Sequence, residues 1–528
     1  MRTIIVAITI AGALLTGCKT KKDKLPVVER DRTVTPAISY SDLFLDSMSM
    51  ERFITTADMH DSLAQRLRNF YNGRNYQYAW FFKEGATEYA STFFGMYKDY
   101  IDYSGDSSLY NPEFQQLFDS SVSGSLKMAD SLKLKTELLL TTNFFRYTRR
   151  AYQGRNGVDA KELEWFIPRK KIDPAAFLDS MLINKGKNIS AYEPVNRQYN
   201  LLKEQLLKYH AIEKSGDWIP VAAGKKSYKP DDNDAVLVNI KKHLFLTGDL
   251  AAADTTSIFN KDLEAAVRSF QNRYGLKADG SIGTSFIKEL NEPLQNRIQQ
   301  LLINMERIRW MPVDIKTDYL LVNIPEYKLH VYEKGNYAWN MNVVTGSVAN
   351  STVVFMGDLK YVVFSPYWNV TPSIIKKEIL PGIARNKNYL ASHRMEWNNG
   401  AVRQLPGPSN SLGLVKFLFP NSYNIYLHDT PSKNLFNESK RAFSHGCIRL
   451  GEPKKLAQHL LRNDPAWDSL KITSAMNAGK EKYVTLKETI PVVIGYFTAW
   501  VDREGKLNFR DDIYGHDKKM KERLFGKK

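Results

Sequence analysis

The feature that most restricts the fold is a change of hydrophobic period part-way along the chain. From about Tyr40 to Asp217 apolar residues recur at helical spacing through long stretches without proline. After Leu63 come Leu67, Phe70 and Tyr71 at i+4, i+7 and i+8, and Leu201, Leu202, Leu206, Leu207 and Tyr209 continue such a stripe. Rows of this kind are core-facing surfaces rather than cofactor pockets. After Trp310-Met311-Pro312 the period falls to two. Residues 319–324 and 328–332 flank Pro325-Glu326 as a predicted hairpin, and 339–345, 361–364, 424–427 and 492–501 read as further strands. A chain divided in this way is a multidomain α+β protein, with a helical scaffold domain first and a β-rich domain last.

At about 150 residues per domain, 528 residues accommodate three or four domains. The helical scaffold is expected over 40–221. A linker rich in Gly, Lys, Pro and Asp follows from Ala222 to Asp234, and then a small helical module over 236–290. In that module Leu263, Val267, Phe270 and Tyr274 share one helix face ended by Gly275, and Asp279-Gly280 makes a turn. The β-rich domain is expected over 316–510. A Pro-, Gly- and Asn-rich insertion at about 371–420, containing Leu405-Pro406-Gly407-Pro408, has the length of a lid. Residues 511–528 read as a basic C-terminal tail. With 74 basic and 57 acidic residues the net charge is +17, which favours an anionic partner. No apolar run reaches the 18 or so residues of a membrane-spanning helix, so a multi-pass membrane protein is excluded.

Two cysteines, Cys18 and Cys447, are too few for a disulfide framework, so each thiol needs its own explanation. Arg2, a short apolar stretch from Ile4 to Leu15 and small residues before Cys18 make a secretory signal over 1–17. Leu15-Thr16-Gly17-Cys18 resembles the bacterial lipobox. The resemblance implies that Cys18 is lipidated and that 18–39, beginning Lys19-Thr20-Lys21-Lys22-Asp23-Lys24, is a tether. The chain is then exported, periplasmic and anchored to a membrane of the cell envelope. Nucleic acid drops out as a partner, since no recognition motif for it is present. Cell wall and membrane surface become the leading anionic partners. The 236–290 module, through Val267-Arg268-Ser269-Phe270-Gln271-Asn272-Arg273-Tyr274-Gly275-Leu276 and Asp279-Gly280-Ser281-Ile282-Gly283, looks like a peptidoglycan-binding helical module. A helical hairpin without a ligand is the alternative.

The second cysteine carries the chemistry. Tyr426-Leu427-His428-Asp429-Thr430 is followed by Ser444-His445-Gly446-Cys447-Ile448-Arg449. A free thiol, with a pKa of about 8.5, is mostly protonated at neutral pH and needs a base or a cationic neighbour to attack a carbonyl. His445 stands two residues before Cys447, and His428 ends a predicted strand. Gly446 permits a tight turn beside the nucleophile, where an amide can face a developing oxyanion.

This pairing, a His followed about sixteen residues later by Ser/Thr-His-Gly-Cys-x-Arg, resembles the catalytic motif of the L,D-transpeptidases. Helical scaffold, wall-binding module and lidded catalytic domain, in that order, look like the large YcbB-like subgroup. The resemblance implies Cys447 as nucleophile and His428 as its general base, oriented by the Asp429 carbonyl or by the Asp429 side chain. It implies that His445 and the amides of Gly446 and Cys447 line the oxyanion site. Arg449 would hold the substrate carboxylate or brace the loop, and Ser444 would support the loop. Tyr367, Trp368 and Asn369 are candidate pocket residues.

The implied reaction acylates Cys447 with a tetrapeptide stem, releasing D-alanine, and transfers the acyl group to a neighbouring stem amine as a 3→3 cross-link. No metal or organic cofactor is required, and inhibition by carbapenems is implied. Three other readings stand beside it. His428, His445 and Cys447 supply three ligands of the kind catalytic zinc uses, though without a fourth ligand or a Glu base. Water or a protein lysine as acceptor makes a carboxypeptidase or a protein-to-wall attaching enzyme. An inactive site leaves a wall-binding tether.

Overall fold

The structure is a computed structural model that describes residues 25–36, 40–122, 129–155 and 159–526. The expected signal segment, Cys18 and the start of the tether lie outside the described residues. Among the described residues no helix is long and apolar enough to cross a membrane. The chain divides into two compact units, the first made of residues up to 102 with 106–148 and 173–193, the second of 103–105, 149–172 and 194 onward.

The first unit is helical. Helix Asp61–Asn72 begins at His60, whose ring caps the Leu63 amide, and buries Leu63, Leu67, Phe70 and Tyr71, the stripe expected from spacing. Its Tyr71 hydroxyl donates to Glu137 at 2.8 Å, and the Ala79 and Trp80 amides donate to the same carboxylate at 2.6 and 2.9 Å. Glu137 lies fully buried in helix Asp130–Thr148, so desolvation lifts its carboxyl to about 7 even against these three donors. The carboxylate thereby fixes Trp80, whose ring packs on Phe93 and Phe144 in an aromatic core.

The last part of the expected scaffold folds with the second unit instead. Helix Arg197–Ser215 packs along helix Leu294–Trp310 and buries Leu202, Leu206 and Tyr209. Leu207, expected on the same stripe, is half exposed, because the helical turn carries it round to solvent. The module at 236–290 forms helices Val236–Thr247, Lys261–Arg273 and Thr284–Leu290. Leu263, Val267, Phe270 and Tyr274 are buried, and Gly275 takes φ +68° where the helix ends. The expected linker is partly structured. Its strand Ser227–Tyr228 pairs with Ile282–Gly283, and Tyr228 is fully buried.

The β-rich domain is a nine-stranded sheet in the spatial order Ala442–Ser444, Asn336–Gly346, Ile448–Leu450, Leu427–His428, Val415–Leu418, Phe355–Phe364, Lys482–Gly495, Tyr319–Asn323, Lys328–Glu333. Lys328–Glu333 also pairs with Asn336–Gly346, so the ladder closes on itself and leaves few free edges. Alternate residues point inward: Leu320, Val322, Leu329, Val331, Val343 and Val492 are all at most 1% exposed. The strand expected at 424–427 is shorter at its start, because Asn424 turns in a left-handed conformation at φ +56°.

Between strands Phe355–Phe364 and Val415–Leu418 stands the insertion. It is a small folded body rather than a long loop. Strands Trp368–Asn369, Ala401–Gln404 and Met395–Asn398 form its sheet, and helical turns from Pro372 to Arg385 cover it. Val370, Ile379 and Val402 make its own core, packed by Trp368, Ile374, Ile375, Ile383, Tyr389, Leu390 and Met395. Val415–Leu418, inside the range expected for the lid, is a wall strand of the main sheet. The expected basic tail is also folded. Helix His516–Phe525 buries His516 and Met520, and its Asp517 pairs with buried Arg307 at 2.5 Å.

Candidate active site

His428 sits on a central strand of the closed sheet. Lys416 lies opposite it on the antiparallel neighbour and Arg449 on the parallel one. That position buries the imidazole to 4% exposure. Its Nδ1 bonds the Asp429 carbonyl at 2.5 Å, which fixes the proton on Nδ1 and leaves Nε2 as the basic nitrogen. The Asp429 side chain is occupied elsewhere: Oδ2 accepts from the Leu414 amide at 2.8 Å, and Oδ1 from the Thr430 amide at 2.7 Å and from Lys433 at 2.6 Å. Gly413 turns here at φ +61°, and a Cβ on it would come within 2.4 Å of the Asp429 carboxylate. Of the two ways Asp429 could orient His428, the structure has the carbonyl.

Cys447 ends a tight turn just before strand Ile448–Leu450. Gly446 takes φ +109°, a region that favours glycine. The thiol is part-buried and donates to the Asn424 carbonyl at 3.5 Å. Burial pushes it up to about 11, opposed by hydrogen bonds from Tyr426 and by the Arg449 cation. Burial, together with Arg449, Lys433 and Lys416, pulls His428 down to about 3. At neutral pH the pair is therefore thiol and neutral imidazole. Arg449 has its Nε buried without a hydrogen-bond partner, an uncommitted cationic donor within electrostatic reach of both groups.

The nucleophile turn is held from several sides. Ser444 Oγ donates to the Cys447 carbonyl at 2.5 Å and accepts from the Gly446 amide at 3.1 Å. This differs from the expectation for Gly446, whose amide is drawn inward to Ser444 rather than presented to an oxyanion. The Cys447 amide, by contrast, donates to no protein group among the described residues. Thr352 bridges the two glycine turns. Its Oγ1 donates to the Gly446 carbonyl at 2.8 Å and accepts from the Gly346 amide at 2.9 Å, while the Tyr514 hydroxyl donates to the Gly346 carbonyl at 2.6 Å. Replacing fully buried Thr352 by valine keeps the shape and leaves both glycine groups unpaired. It is expected to lower the unfolding free energy by about 2 kcal/mol, read by chemical denaturation.

The other candidates lie further out. His445 is half exposed, and its Nε2 pairs at 3.1 Å with Glu378 of the lid helix. Tyr367, Trp368 and Asn369 root the lid. The Tyr367 ring carries Arg403 at 4.3 Å, Trp368 packs on the lid core, and Asn369 pairs with Arg403 across the lid sheet. None of the three is brought to the thiol by a hydrogen bond. Among the described residues no group of three or more His, Cys, Asp or Glu side chains could hold a metal ion, so the zinc reading of His428, His445 and Cys447 finds no geometry here. Sequence reasoning did not single out Thr352, Tyr514, Asn424 or Glu378. Asn424 alone carries a local signal, as a residue type that tolerates the left-handed turn.

Three stretches of the chain match known domain families. Residues 317–472 match the L,D-transpeptidase catalytic domain of the YkuD family, 65–206 match the Scaffold domain, and 239–290 match the "Putative peptidoglycan binding domain". A Haemophilus influenzae protein described as "Putative L,D-transpeptidase" is 32% identical over 246 residues, covering 43% of this chain and 49% of that protein. The chain thus spans about half the length of the curated relative it matches. Among solved structures, an L,D-transpeptidase (residues 123-326) from Xylanimonas cellulosilytica aligns at 13% identity and a TM-score of 0.19, covering 52% of this chain and all of that one. An L,D-transpeptidase from Mycobacterium smegmatis aligns at 12% identity and a TM-score of 0.20, covering 34% of this chain and 58% of that one.

Proposed function

We propose that the chain forms 3→3 cross-links in peptidoglycan through a thioester on Cys447, a reading supported by its matches to the L,D-transpeptidase catalytic domain, the Scaffold domain and the putative peptidoglycan binding domain. The observation that carries this reading is the junction of two adjacent segments, the strand of His428 and the turn and strand of Cys447 and Arg449. Neutral His428 is held by the Asp429 carbonyl, Arg449 has a free donor, and Cys447 stands on a turn braced by Ser444 and Thr352.

In the donor half-reaction the scissile carbonyl of a tetrapeptide stem lies against Cys447, with Arg449 on the stem's carboxylate. As Sγ attacks, its proton passes to His428, whose Nδ1–H remains on the Asp429 carbonyl. The Cys447 amide faces the oxyanion that forms, and His445 stands beside it. The tetrahedral intermediate collapses with loss of D-alanine, whose amine takes the proton from His428. In the acceptor half-reaction the side-chain amine of a second stem attacks the thioester. The C–N bond forms, the C–S bond breaks, and the thiol is restored. None of these steps draws on a cofactor.

The location that goes with this reading is the cell envelope, with Cys18 lipidated and the protein held to a bacterial membrane, and the thioester chemistry makes it a carbapenem target. Product analysis tests the acceptor. Incubated with a disaccharide-tetrapeptide, the full chain is expected to release D-alanine and yield a dimer whose cross-link joins two third-position residues. Tripeptide as the sole product would assign an L,D-carboxypeptidase, and a bound muropeptide with no release of D-alanine would leave a wall-binding protein.

A further inference from the structure

The two half-reactions place opposite electrostatic demands on the same cleft. The donor brings a carboxylate and a carbonyl, which the cations around His428 suit. The acceptor is a primary amine, an ammonium ion near neutral pH that must lose a proton before it attacks. Arg449, Lys433 and Lys416 repel it, on a chain whose net charge is +17. Recognition of the acceptor therefore needs a carboxylate with acceptor capacity to spare.

The carboxylates around the cleft differ in this respect. Asp429 is filled by two amides and Lys433. Glu481 is already neutralised by the Lys416 ammonium and also receives the Tyr367 amide. Glu378 stands on the lid helix, half exposed, with Oε1 on His445 Nε2 at 3.1 Å, two residues from the nucleophile. It thus faces the catalytic turn from the lid side. We propose that Glu378 is the acceptor-recognition residue, binding the ammonium of the incoming stem and presenting it to the thioester beside His445.

This inference rests on the acyl-enzyme reading above and adds the residue that selects an amine over water. The ammonium docks on Glu378 and gives one proton to solvent at this half-exposed edge of the lid. The freed nitrogen lone pair attacks the thioester carbon. The C–S bond breaks with its electrons on Sγ, and the second N–H proton reaches Sγ through His428.

Glu378→Gln keeps the size and the contact with His445 but removes the charge, and Glu378→Asp restores the charge. The full chain and both variants are acylated with the tetrapeptide donor, and the acylation rate is read by intact mass. The ratio of 3→3 dimer to tripeptide is then measured. Glu378→Gln is expected to acylate as the unmodified protein does, while its dimer-to-tripeptide ratio falls about tenfold. Glu378→Asp is expected to recover part of the ratio. Hydroxylamine, uncharged at neutral pH, should capture the thioester equally well in all three. An unchanged ratio overturns the inference. So does a fall in acylation as large as the fall in ratio, which would make the Glu378 contact a structural latch. Failure of the unmodified protein to acylate at all overturns the donor reading and this inference with it.

Discussion

Replacing Cys447 by alanine is expected to abolish release of D-alanine from a tetrapeptide stem, by a factor of about 10⁴ or more, while leaving the fold and muropeptide binding intact. The size of the effect follows from what the thiol does in the proposed reaction. It forms the bond that splits one difficult acyl transfer into two easier ones, and no neighbour can substitute for it. Ser444 is the nearest hydroxyl in sequence. Its proton goes to the Cys447 carbonyl and its oxygen receives the Gly446 amide, so it is spent on the turn. The fold should survive because the thiol is part-buried and a weak hydrogen-bonding group, its contacts being with the Asn424 carbonyl at 3.5 Å and with Tyr426. Calorimetric binding of a muropeptide, with D-alanine release measured in parallel, separates the two properties.

The second large effect concerns pH. With His428 drawn down to about 3 and the Cys447 thiol pushed up to about 11, neither group titrates between about pH 5 and pH 9. The free protein holds no thiolate–imidazolium pair to be made or lost in that range. Proton transfer must accompany attack, as general-base catalysis. The acylation rate of the unmodified protein is therefore expected to change less than about threefold from pH 5 to pH 9. Rates fall only as pH drops toward 3 and the imidazole protonates. His428→Gln removes the base. It should lower acylation at pH 7 by about 10³-fold, and the residue of activity should rise tenfold per pH unit as the thiol ionises unaided. An inflection near pH 6.5 to 8.5 in the unmodified protein would mean a preformed ion pair instead. The same depression of His428 acts on stability. The unfolded imidazole binds a proton near 6.5 and the folded one only near 3, so stability falls as pH drops through that interval.

How much of this could be read before the fold was seen depended on distance along the chain. The nucleophile turn occupies six consecutive residues, Ser444 to Arg449, and His428 comes sixteen residues before Ser444, so the chemistry lay in one short stretch. Helical stripes such as Leu63–Leu67–Phe70 were equally local, because the period of a helix is written into neighbouring turns. The supports were not. Thr352 meets Gly446 from 94 residues away, and Tyr514 meets Gly346 from 168. Neither residue type in its own neighbourhood signals such a role. Composition also misled in two places. The Pro-, Gly- and Asn-rich lid reads as a loop, yet Val370, Ile379 and Val402, far apart in sequence, converge on a core of their own. The lysine-rich C-terminal segment reads as a tail, yet His516, Asp517 and Met520 give one helical face enough anchoring to pack it. Strand Val415–Leu418 reads as lid because Pro406, Gly407, Pro408 and Gly413 precede it and Pro420 follows, although it is one of the two strands that flank His428.

The most direct test of the central claim is the mass of the protein itself. The full chain is mixed with a disaccharide-tetrapeptide, without acceptor, quenched in acid and digested for peptide mapping. The predicted result is an adduct equal to the donor minus D-alanine, held as a hydroxylamine-labile thioester on the peptide that contains Cys447 and missing from Cys447→Ala. An adduct on any other residue, or release of D-alanine by the alanine variant at the unmodified rate, would contradict the assignment of Cys447 as the acylated nucleophile.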